Sequence, residues 1–221
     1  MLDLAPHGNL HTLVSDEFDT SGKPLSDIVI LVILDQIIDG MEELQINGII
    51  HKDLALRNIL VHSYDRNFPE RIRVKISDFG VSSIMDSSAS SFYYTGSGGL
   101  ELPIRWMAPE SLTRNKWSEK TDVYSLGVLI WELVSSGQVP WGLGRSNGEI
   151  QDKIVSGETL SCAKETMREI SDLIARCCSL SPHDRPTFRD IKGIIASIRT
   201  SMLISPNSEQ HISQSALVRI I

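Results

Sequence analysis

The amino-acid sequence predicts a single α+β domain that is mainly helical. Its 221 residues are enough for one domain with a sizeable core, and hydrophobic residues make up 41% of them. Most segments with regularly spaced apolar residues follow the helical period of 3.6, whereas strand-like runs are short. We therefore expect a helical body that carries short β hairpins.

The first half of the chain is predicted to hold one long helix and three strands. The turn signal Pro6-His7-Gly8 precedes residues 9–14, which could form one or two helical turns, and the polar stretch 16–23 is expected to be a loop. A helix is expected from about 26 to 45, because a Ser-Asp cap precedes apolar residues at helical spacing. Strand character follows in three short runs, residues 49–50, 59–61 and 73–76.

The second half is predicted to be helical after a polar segment. Residues 82–99 are rich in Ser and Gly, bury little apolar surface and are expected to be mobile. Residues 118–135 are apolar or small on nearly every face, which predicts a buried helix. Three more helices are expected at 147–156, 166–178 and 187–199, and residues 201–221 are expected to form a loose tail.

Composition excludes several classes of partner. The net charge is −7 and the pI is about 5.4, which argues against nucleic acid or an anionic membrane as the main partner. The apolar run 28–34 is far too short for a membrane span, and no signal-peptide pattern opens the chain. The three cysteines have no metal-binding spacing, which favours reduced thiols and a cytoplasmic location.

Two motifs carry the chemical information. Residues 51–58 read His-Lys-Asp-Leu-Ala-Leu-Arg-Asn, and residues 78–80, which begin twenty positions after that Asn, read Asp-Phe-Gly. Phosphoryl transfer needs an aligned nucleophile and neutralised phosphate charge, and Asp53 could accept the proton of an attacking hydroxyl. Asn58 and Asp78 could supply the oxygen ligands that suit Mg²⁺. Either motif alone would be weak evidence, but their joint occurrence in this order makes chance a minor alternative.

Three further motifs complete a series. Residues 102–110 read Leu-Pro-Ile-Arg-Trp-Met-Ala-Pro-Glu, residues 122–127 read Asp-Val-Tyr-Ser-Leu-Gly, and Arg185-Pro186 lies near the end. The whole series resembles the C-terminal lobe of protein kinases, specifically of tyrosine kinases, from about Leu2 to Ile198. The resemblance implies a kinase-like C-lobe over residues 9–200, whose hairpins carry the catalytic and metal loops and whose activation segment spans 78–110.

The resemblance implies a role for each matching residue. Asp53 would be the catalytic base, and Asn58 and Asp78 would bind Mg²⁺ and through it ATP. Asp122 would anchor the backbone of the catalytic loop, and Glu110 would form a buried ion pair with Arg185. The residues with implied structural roles are His51, Phe79, Gly80, Glu110, Asp122 and Arg185.

The start of the chain resembles the hinge that leads into this lobe. Residues 1–8 would be a hinge remnant, in which Asp3 and Ala5 present backbone groups to adenine. Leu60 would form the floor beneath the adenine ring.

The resemblance favours tyrosine over serine as the phosphate acceptor. Serine/threonine kinases place a Lys two residues after the catalytic Asp, where this chain has Ala55. Arg57 lies four residues after Asp53 instead, as in receptor-like tyrosine kinases, and its guanidinium can bond both the Asp and the target phenol. Pro103 matches the proline on which the target tyrosine rests. The implied partners are therefore protein substrates that bear tyrosine.

The segment after the metal loop suggests regulation. Tyr93 and Tyr94 resemble paired activation-loop tyrosines, although they could equally be surface aromatics. The residue that usually receives such a phosphate is Arg, and Lys52 stands in its place without the bidentate fork. We therefore expect a weakened phosphorylation switch.

The sequence also leaves alternatives to an active enzyme. The 50 residues before His51 contain no glycine-rich phosphate loop and no Val-Ala-x-Lys strand. We expect this chain to be a truncated tyrosine kinase that is weakly active or inactive alone. The intracellular part of a receptor is one origin that the resemblance allows. The alternatives are a non-catalytic pseudokinase and a protein-interaction module.

Overall fold

A computed structural model describes residues 5–78, 83–84 and 103–204 of the chain. Within these ranges the helices are α1 (Leu10–Ser21), α2 (Asp27–Ile46), α3 (Pro109–Arg114), α4 (Glu119–Val134), α5 (Asn147–Ser156), α6 (Arg168–Cys177) and α7 (Phe188–Ile204). The strands are β1 (Ile49–Ile50), β2 (Ile59–Ser63), β3 (Arg73–Ile76) and β4 (Ser83–Ile84). This mainly helical α+β architecture confirms the predicted fold class. The predictions for Asp3, Phe79, Gly80, Tyr93 and Tyr94 lie outside the described residues, as does most of the stretch 82–99.

Two small antiparallel sheets frame the catalytic motif. β2 pairs with β3 with Ile59 opposite Ile76, and β1 pairs with β4 with Ile49 opposite Ile84. Residues 51–58 connect β1 to β2, and Asp78 lies two residues after the end of β3. The hairpins therefore bring both motifs to the same end of the β2–β3 pair.

The core is built around α2 and α4. α2 begins after Ser26 and ends at Asn47, close to the predicted limits, and packs against α7 and β3. α4 begins with a capping box formed by Ser118 and Thr121, and every residue from Thr121 to Leu133 is buried. The prediction of a central buried helix is therefore confirmed.

The packing of α4 against α6 requires a glycine. A Cβ atom on Gly127 would lie 2.7 Å from the Cβ of Cys177 and 2.7 Å from the Sγ of Cys178. These distances are shorter than carbon and sulfur contacts allow, so a side chain there would push the two helices apart. Cys178 is compatible with this close approach because its side chain is small.

Three sequence predictions need correction. The stretch 16–23 is not a loop, because α1 continues to Ser21 before ending at Gly22, whose φ is 65°. Its outer face is exposed, so polar residues there are compatible with a helix whose inner residues are buried. The sequence analysis did not predict the short helix α3, which begins at Pro109 within a segment interpreted only as a motif. α7 continues to Ile204, beyond the predicted end at 199.

None of the helices in the described ranges combines the length and the apolar character that a membrane crossing requires.

Candidate active site

The backbone of the catalytic loop is held by a buried carboxylate. Oδ2 of Asp122, near the start of α4, accepts the His51 N–H at 2.8 Å, and its Oδ1 accepts the Lys52 N–H at 2.9 Å. Lys52 has a φ of 70°, a conformation that is strained for a residue with a side chain. The two hydrogen bonds to one carboxylate stabilise this turn, so the helix sets the loop's conformation.

His51 links the catalytic loop to the strand that precedes Asp78. Its fully buried ring accepts the Asp53 N–H at Nδ1 (3.3 Å), and its Nε2 lies 3.0 Å from the carbonyl of Ser77. Because the backbone N–H can only donate, the ring proton belongs on Nε2, where it donates to that carbonyl. Burial lowers the pKa of His51, which favours this neutral tautomer.

The carboxylate of Asp53 is oriented from two sides. Arg57 forms an ion pair with Oδ1, and Nδ2 of Asn58 donates to Oδ2 at 2.9 Å and to the Asp53 carbonyl at 2.6 Å. The Asp53 side chain is still 24% exposed, so a substrate could reach it. The structure thus brings together three residues singled out from the sequence and leaves the carboxylate accessible.

Asp78 lies next to Asn58 at the end of the β2–β3 hairpin. The Asn58 carbonyl accepts both the backbone N–H (2.9 Å) and the hydroxyl (3.0 Å) of Ser77, which fixes the residue before Asp78. Since the Asn58 side chain points its nitrogen at Asp53, its amide oxygen is turned the other way.

One amide oxygen and one exposed carboxylate form a donor set that fits Mg²⁺. This ion is usually bound through one or two protein ligands, with water and phosphate oxygens completing its shell. Across the ranges that the structure describes, no group of three or more His, Cys, Asp or Glu residues could hold a metal ion. Two protein oxygen donors, one from Asn58 and one from Asp78, fit a Mg²⁺ ion that takes its other ligands from water and phosphate.

The side chain of Lys52 packs against an aromatic ring. Its Nζ lies 5.6 Å from the ring centroid of Trp117, and burial lowers the pKa of the ammonium group. Trp117 itself is fixed by a 2.9 Å hydrogen bond from its Nε1 to Oδ1 of Asn115. The lysine that was predicted to receive a phosphate thus has a neighbour that the sequence did not reveal.

The segment predicted to be a hinge remnant has its last residues paired with β2. The His7 N–H donates to the Val61 carbonyl (3.2 Å), and the Val61 N–H donates to the Gly8 carbonyl (2.9 Å). The Ala5 carbonyl accepts the Gly8 N–H (3.1 Å) within a turn. Asn9 forms an isolated β-bridge with the half-buried Leu60, so residues 7–9 lie alongside β2.

Sequence reasoning missed two residues of the site. Glu132, on α4, is 2% exposed and accepts the Leu56 N–H (3.2 Å) and the Nε1–H of Trp106 (2.7 Å) through one oxygen. The Trp106 ring in turn lies against the guanidinium of Arg57. An acidic residue within an otherwise apolar helical segment was the available signal, because such a group needs partners when buried.

We predict that Glu132 makes stability depend on pH. Burial raises its pKa to about 7, with Arg57 as the charged group that opposes the shift. Because the folded state holds this proton more tightly than the unfolded state, the stabilisation is complete below about pH 4.5 and is lost as pH rises through about 7. Because one proton is involved, the free energy of unfolding cannot fall by more than about 1.4 kcal/mol per pH unit on account of Glu132.

The measurement is urea unfolding of wild type and Glu132→Gln between pH 5 and pH 8. The difference in unfolding free energy isolates Glu132, since other titrating groups such as His51 are common to both proteins. Wild type should lose stability relative to the variant as pH rises. A difference that stays constant would contradict the prediction.

Comparison with known proteins identifies the family. A family model described as protein tyrosine and serine/threonine kinase matches residues 1–195. The tyrosine-protein kinase transmembrane receptor Ror of Drosophila melanogaster is 37% identical over 193 residues, which cover 87% of this chain and 27% of the relative. The tyrosine-protein kinase transforming protein ros of UR2 avian sarcoma virus is 41% identical over 154 residues, which cover 70% of this chain and 37% of the relative.

A third relative carries a different functional description. The inactive tyrosine-protein kinase kin-32 of Caenorhabditis elegans is 34% identical over 211 residues, covering 95% of this chain and 22% of the relative. The chain thus spans well under half the length of each of these relatives. Since the family model covers most of the chain and these relatives are of one type, the chain belongs to the protein kinase family and is of the tyrosine kinase type.

Proposed function

We propose that this chain carries the acceptor side of a protein tyrosine kinase active site, which transfers the γ-phosphate of ATP to tyrosine in a protein. The observation that supports this most directly is the geometry of Asp53. Its carboxylate is partly exposed, paired with Arg57 and hydrogen-bonded to Asn58, whose own carbonyl accepts the hydroxyl of Ser77, the residue before Asp78. A base held in this way is what an incoming hydroxyl needs.

In the proposed reaction, Asp53 accepts the proton of the tyrosine hydroxyl as the oxygen attacks phosphorus. Asn58 and Asp78 would hold Mg²⁺, which supplies neutralisation of phosphate charge. Arg57 keeps the Asp53 carboxylate in one orientation and presents a second donor toward the phenol oxygen. The protein therefore contributes alignment and charge.

The acceptor and nucleotide subsites follow from the same arrangement. Tyrosine is proposed as the acceptor because position 55 is Ala and Arg57 takes over the cationic role. Pro103, half-buried at the start of a helical turn, would support the tyrosine ring. Adenine would lie between Leu60 and the hinge backbone around Asp3 and Ala5.

Regulation by phosphorylation is proposed to be weak. Tyr93 and Tyr94 are the candidate phosphate acceptors, and Lys52 is the candidate partner. The contact of Lys52 with Trp117 supports this proposal, because a phosphate would have to compete with the ring for the ammonium group. The three free thiols are consistent with a cytoplasmic site of action.

A second function has one observation in its favour. The relative kin-32, at 34% identity over 95% of this chain, is named as inactive. A pseudokinase or interaction module of this fold would bind a partner protein without transferring phosphate. Such a module has no physical need for the paired and exposed Asp53 carboxylate, so we favour catalysis.

The test is phosphotransfer from Mg²⁺–ATP to a tyrosine peptide and to the same peptide with serine in place of tyrosine. We expect slow transfer to tyrosine alone, with no transfer when EDTA removes Mg²⁺. Equal transfer to serine would contradict the acceptor assignment. Absence of both transfer and Mg²⁺-dependent ATP binding would favour the interaction module.

A further inference from the structure

Trp106 connects a buried carboxylate to an exposed cation at the proposed site. Its Nε1–H donates to Glu132 at 2.7 Å, and its ring centroid lies 4.4 Å from Cζ of Arg57. We infer that Trp106, fixed by α4, is a positioning residue that holds Arg57 against Asp53. This inference deepens the proposed function and rests on it.

The indole ring is anchored by residues of a single helix. Ser125 and Glu132 lie seven residues apart on α4, which places them two turns apart on the same face. The Ser125 hydroxyl donates to the Trp106 carbonyl at 2.8 Å, while Glu132 accepts from the indole. The backbone and the ring of Trp106 therefore have fixed positions relative to the core.

Glu132 also fixes the other side of this contact. The same Oε2 that accepts from Trp106 accepts the Leu56 N–H at 3.2 Å, immediately before Arg57 in the chain. One buried oxygen thus sets the spacing between the catalytic loop and the turn that carries the indole. A carboxylate that is 2% exposed can hold two such donors firmly, because water does not compete for them.

Arg57 needs this support, because its ion pair alone would be weak. The side chains of Arg57 and Asp53 are 37% and 24% exposed, and partly exposed pairs four residues apart on a chain are loosely held. A ring face against the guanidinium removes rotamer freedom that the arginine would otherwise keep. The indole therefore restricts the Arg57 side chain, and the restricted Arg57 holds the Asp53 carboxylate in one orientation.

This arrangement also couples two parts of the proposed site. Trp106 ends the helical turn that begins after Pro103, and its N–H donates to the Pro103 carbonyl at 2.9 Å. The same turn would support the target tyrosine. Trp106 therefore links the position of the turn that would support the target tyrosine to the position of the proposed base, Asp53.

The test compares Trp106→Leu, which loses the ring face and the N–H, with Trp106→Phe, which keeps a ring face. NMR of the Arg57 Nε–Hε group, assigned with Arg57→Lys, reports the ring through its upfield shift. We expect Trp106→Leu to lose this shift and to lower kcat for the tyrosine peptide roughly two- to tenfold, with KM for ATP unchanged. Trp106→Phe keeps a ring face but loses the N–H that Glu132 accepts, so its shift and its kcat should lie between those of Trp106→Leu and wild type.

A second cation–ring pair in the chain provides the control. Cζ of Arg71 lies 4.3 Å from the ring centroid of Phe68, in the loop between β2 and β3. Phe68→Leu should move the Arg71 resonance and leave both the Arg57 resonance and kcat as in wild type. An Arg57 resonance that does not change in Trp106→Leu would overturn the inference.

The NMR result is independent of whether the chain transfers phosphate. If wild type were inactive, the proposed function would be contradicted. The Arg57 chemical shift would still show whether Trp106 positions Arg57. If Trp106→Leu did not fold, the nuclear Overhauser effect between the Arg57 guanidinium and the Trp106 ring in wild type would decide it. Absence of that effect would contradict the inference.

Discussion

Replacing Glu110 with Ala is expected to lower the free energy of unfolding by about 3–5 kcal/mol. Its carboxylate accepts NH1 of Arg185 at 2.6 Å and NH2 at 2.8 Å, in a bidentate pair. The Arg185 side chain is fully buried, and that of Glu110 is 13% exposed. Removal of the carboxylate would leave a buried positive charge without its counter-charge.

The remaining contacts of Arg185 cannot replace the lost charge. The guanidinium also donates to three backbone carbonyls, which are neutral, and lies 5.1 Å from the ring centroid of Tyr124. These groups hold the arginine in place whether or not Glu110 is present. The destabilisation therefore comes from an uncompensated charge rather than from a side chain that becomes free to move.

Urea unfolding checks this prediction, with an exposed ion pair as the matched control. Arg168 and Asp172 are 3.7 Å apart with side chains that are 90% and 68% exposed, so Asp172→Ala should change stability by no more than about 0.5 kcal/mol. Glu110→Gln should lie between the two, because it keeps an acceptor and loses the charge. If Glu110→Ala were as mild as the control, the pair would contribute no more than a surface contact.

Much of the fold could be predicted because it depends on local pattern. The apolar faces of α2 and α4 and the glycine and proline signals between elements are properties of short segments. α1 could not be bounded in this way, since only Leu10, Leu13 and Val14 are buried and its later turns face solvent. Its length is set by a cap at each end, Asn9 and Gly22, which were weaker signals than the polar composition between them.

The candidate site could be predicted as far as its motifs extend. Asp53, Arg57 and Asn58 lie within six residues of one another, so a single loop brings them together. The contacts of Glu132 join three segments that are distant in the sequence, and no local spacing indicates which N–H groups it will meet. Long-range partners of buried polar groups depend on the packed structure, so the role of the Trp106 indole is visible only in the folded protein.

Replacing Asp53 with Asn is expected to lower kcat for the tyrosine peptide by about 10²–10⁴-fold. The amide has nearly the same shape but cannot accept the phenolic proton at neutral pH. Its oxygen can still accept from Arg57, while its NH₂ group would face the Asn58 amide nitrogen that now donates to Oδ2. We therefore expect the fold to persist with a loss of about 1 kcal/mol in stability.

Steady-state transfer kinetics and thermal unfolding of the same preparation test both parts of this prediction. Asp65→Asn is the control, because Asp65 lies in the β2–β3 loop, where it pairs with the exposed Arg71. That variant should retain the activity of wild type. Since the proposed metal ligands Asn58 and Asp78 are unchanged in Asp53→Asn, Mg²⁺–ATP binding should also persist. If the variant turned over as fast as wild type, Asp53 would not be the base. If it lost ATP binding as well as turnover, Asp53 would maintain the structure of the site rather than accept a proton.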